Sequence, residues 1–345
     1  MRTPSHLRLL VLGLVACSGV LAGCGDACDI RPPRERALAA YVAAIGPEPG
    51  EHAASVPAPE SALQRLPPHP QRSISLPRRT TDIHGFLSLQ GCALGERIGE
   101  RNSGLGRVMV DSQRWVYEAA FLRDAEACLP GLDPPLQAEL QAVIADKRNE
   151  LPAVVWNAIW AGPEIQHLLA LSGRDLDPGA SGATGPAADA LTILRRLAAA
   201  PLRVTSSELE GALHTLRGST VGGDLLRTLE RLAHYLDAAA LRLEASAADP
   251  DCERLRGVFE RHYATELQPY IARTHRAGVT LLPVLKDLHE ETAARLPAEP
   301  PEVAAYAQQL APAGVWGRYE AALARHTAAW QRVADRCGFS PAPPT

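Results

Sequence analysis

Between Asp224 and Ala245, Leu225, Leu229, Leu232, Leu236, Ala239 and Leu243 recur at steps of four, three, four, three and four. Only an α-helix gathers that spacing onto one face, and a stripe of that width needs another helix to cover it. The same periodicity dominates most of the chain after residue 80, and no run of alternating β-branched residues competes with it. The predicted fold class is all-α, a multi-helix bundle. Local signals place several helix starts. Asp133-Pro134 and Asp249-Pro250 each set a capping acid before a proline. Thr205 and Glu208 form a capping box, and Gly162-Pro163-Glu164 opens another helix with its acid at the positive end of the dipole. Arg34 to Ile45 predicts a short Ala-rich helix. Pro152 predicts a kink in a long helix from Leu136 to Trp160. Ser172 to Pro186 reads as a mobile loop, and the tail from Phe339 as frayed.

The N-terminus carries the most specific motif. Arg2 and Arg8 precede an apolar run, Leu9 to Val20, too short to span a bilayer comfortably. The run ends in Leu21-Ala22-Gly23-Cys24, a bacterial lipobox, with Cys24 as the acylated residue. Several acyl chains on Cys24 would make a stable membrane anchor. Gly25 after the cysteine favours the outer membrane over the inner, with the body facing the periplasm. Dense proline between Gly46 and Arg79 reads as an extended tether. The expected organisation is therefore a signal peptide over 1–23, an anchor and tether over 24–80, and a helical domain over 81–338.

An oxidising periplasm permits disulfides. Besides Cys24 the mature chain holds Cys28, Cys92, Cys128, Cys252 and Cys337. Cys28 lies next to the lipid and is the odd thiol. The other four allow three connectivities. Cys92–Cys128 with Cys252–Cys337 is favoured, because each pair joins helices close in sequence or flanking one bundle. No Cys-x-x-Cys or Cys/His cluster suggests a metal.

Charge argues against nucleic acid as a partner. The net formal charge is −4, and the arginine excess over two lysines (Lys147 and Lys286) looks like genomic GC bias. Catalytic motifs are weak. His289-Glu290-Glu291-Thr292-Ala293 lacks the second histidine of a zinc helix. Glu164-x-x-His167 is a single copy of a motif that a di-iron bundle needs twice. Glu100 on a helix before Ser103 only faintly resembles a lytic-transglycosylase acid. The five tryptophans sit at core-like helical spacing. The sequence therefore predicts no cofactor and no enzyme activity.

The segment His84 to Leu129 implies two helices, about Ile83–Asn102 and Asp111–Cys128, around a Ser-Gly-Leu-Gly turn. Gly91, Gly95 and Gly99 form a stripe that predicts a close helix neighbour. Glu100, Arg101, Asn102, Arg107, Ser112 and Gln113 form a polar group, read either as a binding pocket or as a network fixing the hairpin. Gly91-Cys92, Glu100-Arg101-Asn102-Ser103, Leu105-Gly106 and Ser112-Gln113-Arg114 resemble the proteobacterial lipoproteins of domain-of-unknown-function family 3080. The Trp156-Asn157 and Gln268-Pro269-Tyr270 helices extend that resemblance over most of the mature chain. It implies an envelope lipoprotein without assigned catalytic residues. The expected partners are the membrane, through the lipid, and an envelope protein. A glycan or lipid ligand at the Glu100–Gln113 motif is the alternative. Alkylation of the unreduced protein is expected to leave Cys92 and Cys128 unlabelled; free thiols at both positions would remove the staple.

Overall fold

The computed structural model describes residues 31–46, 57–77, 92–176, 184–246 and 250–340. Cys24, Cys28 and residues 83–91 lie outside the described residues. No strand occurs among the described residues. In chain order the helices are α1 (Pro33–Ile45), α2 (His69–Arg72), α3 (Ala93–Asn102), the single turn α4 (Gly104–Arg107), α5 (Asp111–Cys128), α6 (Pro134–Trp156), α7 (Pro163–Leu168), α8 (Thr184–Ala199), α9 (Ser206–Arg217), α10 (Val221–Ser246), α11 (Cys252–Val258), α12 (Gln268–Ala293), α13 (Pro301–Ala307) and α14 (Val315–Cys337).

The seam read from the sequence lies on α10, and each of its six residues is fully buried. Its most extensive partner is α14, and α1 packs beside it. On the other side, α8 packs with α12 and α9, and α5 packs on α6. Burial of one large side chain is worth about 1.5–3 kcal/mol, so this contiguous core is the main source of stability.

Helix ends follow local chemistry. The Asp133 carboxylate accepts from the Leu136 amide at 3.1 Å, ahead of Pro134 at the first helical position. The Thr205 hydroxyl accepts from the Glu208 amide at 3.4 Å and donates to its carboxylate at 2.8 Å. α11 departs from expectation. Its cap is Asp251, accepting from the Arg254 amide at 3.1 Å, rather than Asp249, because the helix starts beyond Pro250. α6 runs through Pro152, and its winding then widens to a π-turn over Asn157–Ala161. α14 ends at Gly338, whose φ of 64° suits a residue without a Cβ. Phe339, expected to fray, packs its ring 5.9 Å from that of Phe259.

Two expectations for the N-terminal half need correction. The tether reading fails for residues 31–46 and 57–77. α1 buries Leu38, Tyr41, Val42 and Ile45, an i, i+3, i+4, i+7 stripe, against the bundle. Its last carbonyls are taken by arginines from other helices: Arg242 reaches Val42 at 2.9 Å and Arg254 reaches Ala44 at 2.7 Å. Residues 57–77 lie along the body as a strap, extended on either side of the single turn α2, with Leu63, Leu66, Ile74 and Leu76 against the core. The helical domain thus includes residues ahead of position 81. The glycine stripe also fails at Gly99, where an added Cβ would meet nothing within 4 Å. Close approach occurs at Gly278 instead, where a Cβ would stand 2.2 Å from the Trp316 ring.

Four of the five tryptophans are fully buried, and each indole N–H is satisfied. Trp115 donates to the Pro201 carbonyl, Trp156 to that of Arg72, Trp160 to the Thr292 hydroxyl and Trp330 to the Tyr41 hydroxyl. Trp330 can only donate, so Tyr41 keeps its own proton for Nε2 of His326, 2.6 Å away. That bond needs a neutral imidazole, and burial pushes the His326 pKa down to about 4. The unfolded chain binds this proton near the ordinary pKa of about 6.5, above the folded value. Stability should therefore fall as pH drops from about 6.5 to about 4, by on the order of 3 kcal/mol. Urea denaturation at pH 7 and pH 4.5 is expected to show this loss in the wild type and a smaller one in His326→Leu.

Candidate functional site

The polar hairpin was the leading site in the sequence. Its turn is tightly specified. Ser103 donates to the Glu100 carbonyl at 2.6 Å and accepts from the Gly106 amide at 3.1 Å. A Cβ at Gly106 would stand 2.4 Å from the carbonyl oxygens of Glu100 and Arg101, so only glycine fits. Arg101 donates to the Gly106 carbonyl, with its guanidinium 5.9 Å from the Tyr117 ring centroid. Arg97 reaches across to Asp124 on α5 at 2.8 Å. Cys92 and Cys128 are disulfide-bonded, with their Cα atoms 6.0 Å apart, and tie the start of α3 to the end of α5. Cys252 and Cys337 likewise join the start of α11 to the end of α14, at 5.4 Å.

The six polar residues do not converge on one pocket. Glu100 points outward and meets Arg97 at 3.4 Å, and Asn102 is exposed. The Arg107 side chain lies outside the described residues. Ser112 and Gln113 turn to α9, where both donate to the Glu210 carboxylate, at 2.8 and 2.6 Å. Beside them on α5, Glu118 takes Lys147 of α6 at 2.5 Å. The motif is therefore a set of joints, one within the turn and one to α9, with Glu118 next to it adding a third to α6. The backbone after the turn leaves Val108 and Val110 exposed.

The weaker catalytic motifs are also engaged in pairs. Glu164 is buried and holds Arg217, whereas His167 is exposed. His289 Nε2 lies 2.7 Å from Glu299, with the ring edge-on to Trp160 at 5.1 Å. Glu290 holds Lys286 and Glu291 holds Arg195, both at 2.6 Å. No group of three or more metal-ligating side chains occurs among the described residues. No described helix is long and apolar enough to cross a membrane.

The structure also forms clusters that sequence reasoning missed. Arg231 on α10 holds Glu35 of α1 at 3.0 Å and also pairs with Asp175 of the loop before α8. Burial raises the Asp175 pKa against the pull of Arg231. This loop segment was read as mobile, but Arg231 fixes its Asp175 end. A second cluster centres on the strap. Arg72 is fully buried and donates to the carbonyls of Trp160 at 2.6 Å and Gly162 at 3.3 Å, and to Gln166 at 2.8 Å. Its charge sits at the carbonyl end of the α6 π-turn, where a cation is favoured; burial lowers its pKa. Asn157 grips Ile74, accepting from its amide and donating to its carbonyl, both at 2.8 Å. A groove of about 560 Å³ between the π-helical segment Phe259–Leu267 and the end of α14 is lined by Arg256, Phe259, Glu260 and Phe339. A smaller cavity of about 160 Å³ lies at Pro152 and Pro201, beside Arg148 and Arg295.

The family model described as "Protein of unknown function (DUF3080)" matches residues 51–341. The chain belongs to that family. No curated protein and no solved structure matches it. The DUF3080 span begins ahead of the strap, in keeping with a strap that is part of the body. The DUF3080 resemblance noted at Trp156-Asn157 falls on the strap grip. That at Gln268-Pro269-Tyr270 falls beside the ion cluster, where Arg34 lies 5.1 Å from the Tyr270 ring centroid.

The joint reading predicts energetic coupling between Gln113 and Glu210. A double-mutant cycle with Gln113→Ala and Glu210→Ala in urea is expected to return about 1.5–3 kcal/mol, the range of a hydrogen bond to a charged group. Coupling near zero would release Gln113 for a binding role.

Proposed function

We propose that this DUF3080 chain is a non-enzymatic envelope lipoprotein, anchored through Cys24, whose helical body binds or organises a protein partner at the periplasmic face of a membrane, more readily the outer one. The observation that carries the anchoring half is the tetrapeptide Leu21-Ala22-Gly23-Cys24 behind a short apolar run. Two disulfides in the body suit the oxidising compartment to which such a signal sends a chain. The partner half is supported by how the polar side chains are used. Ser112, Gln113, Glu118, Glu164 and Glu291 all hold other parts of the bundle together, which favours a rigid surface over acid–base chemistry. The alternative ligand, an envelope glycan or lipid at Glu100–Gln113, would meet only Glu100 and Asn102 as exposed side chains among the described members of the six-residue polar group.

Cys24→Ser is expected to abolish metabolic labelling with palmitate and move the protein from the membrane to the soluble fraction. Globomycin is expected to leave the wild-type precursor uncleaved. Normal maturation and membrane retention of Cys24→Ser would refute the anchor. Photo-crosslinking from Val108 and Val110 in the acylated protein tests the partner; a recurrent protein adduct supports it, and lipid or glycan adducts alone would replace it with the alternative.

A further inference from the structure

The strap is held in the manner of a bound peptide. Most of its residues between positions 57 and 77 are exposed, and only a few side chains turn inward. α2 places Arg72 inward, and beyond it Ile74 and Leu76 turn inward while Ser75 and Pro77 face out, the alternation of an extended strand. The body grips the backbone through side chains. Gln309 accepts from the Gln64 amide at 3.2 Å and donates to the Gln64 carbonyl at 3.3 Å. Asn157 does the same for Ile74, both bonds at 2.8 Å. Glu230 accepts from the Ala62 amide at 2.8 Å and the Ser61 hydroxyl at 2.7 Å. An amide that pairs with both the N–H and the C=O of one residue reads backbone, not side chain, which is the logic of extended-peptide recognition. Specificity then rests on the Arg72 pocket. No carboxylate is among the hydrogen-bond partners of that guanidinium, and its Nε has no protein partner. An anchor held by carbonyls and one amide oxygen offsets less of its desolvation than an ion pair would. It is an anchor that can be exchanged.

We propose that the track from Glu230 past Gln309 to Asn157 is a recognition site for an extended peptide with an Arg-x-Ile-x-Leu core, which residues 57–77 occupy in cis. The partner it fits is a proline-rich segment of another protein, extended on either side of one helical turn that presents an arginine for burial. The strap excludes that segment until it is displaced. This inference deepens the protein-partner reading and rests on it.

The test uses the full chain and a fluorescent synthetic peptide of residues 57–77. The wild type is expected to bind the peptide weakly, because its own strap competes. Arg72→Ala, which weakens the strap in cis, is expected to bind it at least about tenfold more tightly, a gain of about 1.4 kcal/mol. The same peptide carrying Arg72→Ala is expected to lose that gain. Because Arg72→Ala risks misfolding, a second form keeps every strap residue. A protease site placed between positions 78 and 84 is cut after folding, which frees one end of the strap, and the cut protein is expected to take up the peptide. If both forms stay folded by circular dichroism and neither binds the peptide, the recognition site is refuted. If both forms unfold, the strap is an obligate part of the fold and the proposal falls equally. Either failure leaves the crosslinking from Val108 and Val110 as a separate test of a partner.

Discussion

Everything in the described body depends on one long helix being buried along most of its length. α10 carries the apolar seam that α14 covers, and successive turns of its other faces hold the parts that do not belong to any helix pair. Glu230 takes the strap, Arg231 takes α1 and the loop at Asp175, and the His234 ring meets the Pro57 carbonyl at 3.0 Å. Tyr235, one residue on, donates to Glu35 at 3.3 Å. The apolar seam supplies free energy without direction. The polar residues on the other side supply register, because each is satisfied only when one particular neighbour is in place. Removing Arg231 would leave the Glu35 and Asp175 carboxylates buried without their shared cation, which is costly.

The helices were legible where a local signal defined them. α5 spans Asp111–Cys128 as read, and α10 extends the predicted Asp224–Ala245 by a few residues at its start and one at its end. Caps at Asp133 and Thr205 were equally clear, because capping acts over three residues and needs nothing remote. The strap was not legible for the opposite reason. Proline density says that a segment cannot hold a long helix, and says nothing about whether the chain is free or docked. That depends on Glu230, Gln309 and Asn157, each more than eighty residues away. The stripe of Leu38, Tyr41, Val42 and Ile45 was visible and could have placed α1 in the core.

The hairpin motif shows the same limit. A dense run of polar residues invites a pocket, but a helix sends neighbouring side chains in different directions. Gln113 faces α9, Glu100 faces solvent and Arg101 turns back on its own loop. Among the residues that carry the family resemblance, Cys92, Ser112 and Gln113 fasten one helix to another, and Arg101, Ser103 and Gly106 fix the turn. Polar side chains used this way keep the surface rigid, which is the feature the proposed partner binding draws on.

The proline-rich segment is docked on the helical body. Native-state hydrogen exchange of the full chain, read at single amides, tests it most directly. The amides of Ala62, Gln64 and Ile74, which donate to Glu230, Gln309 and Asn157, are expected to exchange far more slowly than in the isolated peptide of residues 57–77. Exchange of all three at the rate of the isolated peptide, with α10 still protected, would contradict it.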